Sequence, residues 1–104
     1  MPGRLPVRLV FMPQDSRQDA WGRIESLSPA GARLSTLCAL KRRERVELDF
    51  EVNGERFEGL RAVVVHAETD VDGYCLADLD FLLPTDRRRL AGVLLDTLSR
   101  SSGH

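Results

Sequence analysis

From Arg45 to Val52 the chain alternates without a break, placing Val46, Leu48, Phe50 and Val52 on one face and Arg45, Glu47, Asp49 and Glu51 on the other. Successive side chains of a strand point to opposite faces, so this period predicts a half-buried β-strand with a solvated acidic face. Asn53-Gly54 comes next. That dipeptide suits a two-residue hairpin turn needing positive φ at both positions, and Glu55 to His66 runs back as its partner.

The same reading extends outward. Leu5 to Met12 is apolar and β-branched with one charge, bounded by Pro13, Gln14, Asp15 and Ser16, and predicts a first strand with a turn behind it. Ala20 to Leu27 alternates, Ser28-Pro29-Ala30-Gly31 interrupts, and Ala32 to Ser35 resumes: strand, tight turn, strand. Asp72-Gly73 turns the chain into a last strand over Tyr74 to Phe81. Six strands linked by turns predict an antiparallel barrel or sandwich. At the end the period changes. Pro84-Thr85-Asp86 is helix-starting chemistry, and Leu90, Ala91, Val93, Leu94 and Leu98 recur at helical spacing, predicting an amphipathic helix of about three to four turns. The polar residues Ser99 to His104 are expected to fray.

Size and charge narrow the class. A chain of 104 residues has room for one domain spanning 1–104, and 42% hydrophobic with 30% charged residues suits a chain that folds alone. A net charge of -1 supplies no field to hold a nucleic-acid polymer by counterion release. No apolar run approaches the length of a membrane span, and no leader pattern opens the sequence, so a cytoplasmic protein without membrane insertion is expected. Cys38 and Cys75 are far apart in sequence and read as reduced thiols serving as small core hydrophobes.

Catalytic chemistry finds little foothold. His66 lies in the strand AVVVHAE and His104 in the tail, neither with a nucleophile or acid at fixed spacing. The cysteines lack the close spacing of a zinc site, and no phosphate-binding loop or dinucleotide fingerprint occurs. The expectation is therefore a binding module, not an enzyme, with no cofactor and no metal. Lys41-Arg42-Arg43-Glu44-Arg45 and Arg87-Arg88-Arg89 are basic clusters. The second sits at a helix start, where the dipole disfavours cations, and hints at a contact surface; solvated charge is the plainer reading of both.

The feature that points to a ligand is the arginine-rich start, Arg4-Leu5-Pro6-Val7-Arg8, followed by the hydroxyl- and glycine-containing turn Ser26-Leu27-Ser28-Pro29-Ala30-Gly31. Arginine forks clamp phosphate oxygens, read the O6/N7 edge of guanine and stack on flat bases. A short turn with hydroxyls and a glycine allows close approach of a nucleotide.

These segments make the chain resemble the PilZ domain family of bacterial cyclic di-GMP receptors. The family pattern is Arg-x-x-x-Arg near the start, then Asp/Asn-x-Ser-x-x-Gly, on a six-stranded antiparallel barrel ending in a helix. Here Ser28 and Gly31 match the second motif, and Ser26 stands where Asp or Asn is usual. The segments VELDFEVNGERFEGLRAVVVHAE and GYCLADLDFLLPTDRRRLAGVLL resemble the family's hairpin, last barrel strand and terminal helix.

The resemblance implies a six-stranded antiparallel PilZ-like β-barrel with a C-terminal α-helix, and a signalling module that binds cyclic di-GMP and relays it to an effector protein. Arg4 and Arg8 would hold phosphates and stack on guanine, Ser26 and Ser28 would hydrogen-bond base or phosphate, and Gly31 would permit the turn. Two registers stay open for the arginines: Arg4 and Arg8 as the pair, or Arg4 as the second arginine with the first lying before Met1. The alternative function is a degenerate PilZ-like domain that acts through protein contacts without nucleotide; a homo-oligomer stays open as well.

Overall fold

The computed structural model describes residues 5–11 and 19–102, with side chains through residue 95. Six strands precede one helix: β1 (Leu5–Phe11), β2 (Ala20–Leu27), β3 (Gly31–Thr36), β4 (Arg45–Val52), β5 (Glu55–Thr69), β6 (Cys75–Phe81) and α1 (Pro84–Ser102). All neighbours are antiparallel, and the sheet closes in the order β1-β2-β3-β6-β5-β4. The expected barrel and terminal helix are thus both present. Met12 and the turn at Pro13 to Ser16 lie outside the described residues, as do Arg4 and His104.

Alternation builds the interior. Val7 and Leu9 of β1, Leu34 of β3, Val46 and Leu48 of β4, Phe57 and Leu60 of β5, and Leu79 and Phe81 of β6 are all buried inside the barrel. Each such side chain contributes about 1.5–3 kcal/mol over leaving it in water. Cys75 is buried as expected; Cys38 is half-buried in the segment after β3, and both are free cysteines.

Asn53 and Gly54 turn the β4–β5 hairpin with φ of 53° and 77°, the left-handed pair that the sequence calls for. Further along, Leu48 pairs with Leu60 but Phe50 pairs with Phe57, so two residues of β5 face Asp49. This is a bulge with Gly59 at φ 64°, and the Gly59 N–H donates to Asp49 Oδ1 at 2.7 Å. Asp49, expected on a simply solvated face, is half-buried and fixes the bulge.

The two ends of the barrel are closed differently. β3 and β4 are opposite one another in strand order, so residues 37–44 cross the far end and bury Leu40 there. At the other end α1 leaves β6 and inserts Leu90, which is fully buried. Pro84 opens the helix, where its missing N–H costs nothing. The arginines that follow latch it down. Arg87 Nε donates to the Phe81 carbonyl at 2.8 Å, and Arg89 donates to Glu55 Oε1 at 2.8 Å and to the Arg56 carbonyl at 2.7 Å. The Arg89 guanidinium also lies 4.3 Å from the centroid of the Phe57 ring. A contact surface is present at this cluster, and it faces the protein's own barrel. The helix runs to Ser102, so residues 99–102, expected to fray, continue it. Serine and arginine tolerate a helix well enough, and Gly103 is the first residue after them that disfavours one.

Candidate functional site

The serine turn lies at the helix end of the barrel. Ser28 and Gly31 close it with reciprocal backbone bonds, Ser28 N–H to Gly31 C=O at 2.9 Å and Gly31 N–H to Ser28 C=O at 3.3 Å. The Ser28 hydroxyl lies 3.3 Å from both the Gly31 amide and the Gly31 carbonyl, accepting from one and donating to the other. The Ala30 carbonyl accepts from Phe81 N–H at 2.9 Å, which ties the turn to the end of β6.

Gly31 is required here for a reason that the sequence does not reveal. It is absent from the positive-φ residues, so the turn needs no unusual backbone angle at this position. A Cβ added to it would lie 2.1 Å from the Leu79 carbonyl oxygen of the neighbouring strand. The glycine lets β3 approach β6, whatever else it does for a ligand.

Ser26 is exposed on the outer face of β2 and pairs with Arg33 of β3. A bulge at Glu25 separates this pair from Ile24–Leu34, and the Glu25 carboxylate accepts from the Ser35 hydroxyl at 2.8 Å. Arg33 is loosely held. Its nearest carboxylates, Asp78 at 3.7 Å and Glu68 at 3.8 Å, are beyond hydrogen-bond distance, and its side chain is half exposed. Arg33 is a candidate missed in reading the sequence. The signal was available: two residues after Gly31 in a strand of period two, it must share the outward face with Ser26 once the hairpin is in register.

Arg8 is elsewhere. It lies inside β1, pairs with Trp21 on one side and Asp49 on the other, and donates through Nε to Asp19 Oδ2 at 3.0 Å, with a second contact from its terminal nitrogen. The hydrogen bond to Asp19, and then its charge, raises the arginine's pKa above the ordinary value, so the guanidinium stays charged. From Trp21 to Ser26 is five positions of strand, roughly 16 Å. The structure therefore brings Ser26, Ser28, Gly31 and Arg33 together and sets Arg8 apart from them. Arg4 is outside the described residues, while Leu5 pairs with Ile24, so β1 begins at the serine-turn end.

An open groove of about 640 Å³ runs over β2, β3 and β6 from Glu25 and Arg33 to Trp21, Leu37 and Tyr74. His66 is exposed on the adjoining face, 4.0 Å from Glu68. Among the described residues no cluster of three or more His, Cys, Asp or Glu is placed to hold a metal ion, and no helix is long and apolar enough to cross a membrane.

The family model of the PilZ domain matches residues 3–95, most of the chain and all six strands. The chain belongs to the PilZ family. PilZ domains are binding and signalling modules, and the family is known for binding cyclic di-GMP. A search of curated proteins found no match to this PilZ chain.

Proposed function

We propose that this PilZ domain is a cyclic di-GMP-binding module of the bacterial cytoplasm that relays the signal to an effector protein, with its nucleotide site at the serine-turn end of the groove. The observation that carries the reading is the register pair Ser26–Arg33, both outward and both exposed beside the Ser28–Gly31 turn. Arg33 presents a planar donor fork to a phosphate or a guanine edge, and Ser26 offers a hydroxyl next to it. Arg4, the arginine that precedes β1, completes the set. Arg8 belongs to the barrel wall, because Asp19 already occupies its guanidinium.

Calorimetric titration of the whole chain with cyclic di-GMP, GTP and cyclic di-AMP tests this. Binding of cyclic di-GMP in preference to the other two is expected, since adenine lacks the O6 acceptor and the N1–H and N2–H donors of guanine, and GTP carries one base in place of two. The absence of heat at high cyclic di-GMP concentration would overturn it. A second reading, a PilZ domain acting through protein contacts without nucleotide, is favoured by two observations: the Arg8–Asp19 ion pair and the Ser28 hydroxyl turned back onto Gly31.

A further inference from the structure

At the far end of the groove three large apolar side chains stand out of the barrel in one row. Trp21 precedes Gly22, which pairs with Thr36; Tyr74 precedes Cys75, which also pairs with Thr36; and Leu37 follows Thr36 between them. They are 68%, 42% and 71% exposed. Adjacent strands are about 4.8 Å apart, so Trp21 and Tyr74 flank Leu37 across roughly 10 Å.

The backbone beneath this row is fixed. The buried Thr36 hydroxyl donates to the Trp21 carbonyl at 2.8 Å and accepts from the Cys38 N–H at 3.2 Å, clamping the residues on either side of Leu37. On the other flank Asp70 Oδ1 accepts from the N–H groups of Asp72 at 2.9 Å and Tyr74 at 3.0 Å, while Asp70 N–H donates to the Tyr74 carbonyl at 2.8 Å. A partner meeting this surface has little backbone to order, which is where binding free energy is commonly lost. Exposed tryptophan and tyrosine on a rigid frame are the side chains that dominate protein interfaces.

Charge selects the partner. Asp70 and Asp72 form an acidic lip beside Tyr74, while the Arg8 charge next to Trp21 is matched by Asp19. Arg23 lies one row deeper, on the β2 side beside Ser35. We infer that the Trp21–Leu37–Tyr74 row is the docking site for a segment of a partner protein that carries an apolar anchor next to a lysine or arginine. The anchor packs between the two rings over Leu37, the cation meets the Asp70–Asp72 lip, and Arg23 donates to carbonyl groups of the segment. This deepens the effector contact of the proposed function and rests on that part alone; it does not require nucleotide binding.

The test is selection of a random dodecapeptide library, displayed on phage, against the whole chain without nucleotide, followed by titration of the enriched peptide as a synthetic probe. Peptides pairing an aliphatic or aromatic residue with a neighbouring lysine or arginine are expected. Because Trp21 is the one tryptophan of the chain, its fluorescence should shift on titration. By calorimetry, Trp21→Ala should weaken binding at least about tenfold, as for a central interface residue. Asp72→Lys should weaken it several-fold. Unchanged thermal melts of both variants exclude misfolding as the cause. No enrichment, an acidic consensus, or binding indifferent to Trp21→Ala overturns the inference. So does concentration-dependent self-association that Trp21→Ala abolishes, which would assign the row to a second copy of the chain. Failure of cyclic di-GMP to bind leaves these outcomes readable, and failure of the peptide leaves the nucleotide reading intact.

Discussion

The two ends of the β2–β3 hairpin are made of the same strands and differ in almost everything else. At the serine-turn end the exposed side chains are Ser26, Ser28, Pro29, Ala30 and Arg33, none of them large and apolar, and the turn uses its own hydrogen-bonding groups: Ser28 bonds to Gly31, and Ala30 accepts from Phe81. At the far end the exposed side chains are large and apolar, and the hydrogen bonds lie beneath them, at Thr36 and Asp70. The first end is a tight turn closed on its own groups, where the proposed reading places a small polar ligand; the second is a rigid platform with apolar area left uncovered. The contrast shows that a residue matching a ligand motif can be required by the fold first.

Gly31 sharpens that point most strongly. Gly31→Ala forces a methyl group against the Leu79 carbonyl, 2.1 Å from the site of the new Cβ, where backbone and not a flexible side chain must give way. Destabilisation of about 1–3 kcal/mol is expected, the range for overpacking a tight site. Trp21→Ala, by contrast, removes a side chain that is 68% exposed and should stay within about 0.5 kcal/mol of the parent. Urea unfolding of the two variants side by side checks both values. Equal stabilities would dissolve the distinction between a structural turn and an uncovered platform.

A smaller effect is expected at Ser26. Replacing it by aspartate adds a charged acceptor beside Arg33, able to take the N1 and N2 hydrogens of guanine, and charged acceptors bind about twice as strongly as neutral ones. After desolvation of the new carboxylate is subtracted, Ser26→Asp should tighten cyclic di-GMP by on the order of 1 kcal/mol. Cyclic di-AMP should gain nothing. If Arg33 instead pairs with the new carboxylate and binding falls, the arginine and not residue 26 is the principal contact.

Much of the fold was legible because local rules and global structure agree. The unbroken alternation of β4, the Asn53-Gly54 turn and the Pro84 helix start each name one outcome, and the barrel uses all three. β5 was harder to read. It continues past His66 to Thr69 through a bulge at Val65, where Val64 pairs with Leu79 and His66 with Asp78, and a one-residue slip of that kind hides the period. The candidate site was legible only where its parts are close in sequence. Ser26, Ser28 and Gly31 form one short motif, whereas Trp21, Leu37 and Tyr74 become neighbours only through pairing of β2 and β6 with β3. Arg8 shows what spacing alone leaves out. Its spacing from Arg4 fits a motif, but a position inside β1 turns its side chain toward Asp19.

The claim that nucleotide recognition resides at the serine-turn end is tested most directly by following backbone amide and indole resonances of the labelled chain as cyclic di-GMP is added. The account predicts shifts at the amides of Ser26, Ser28, Gly31 and Arg33, with the Trp21 indole and the Arg8 amide unmoved. Shifts centred on Trp21 and Arg8, or none at saturating ligand, would contradict it.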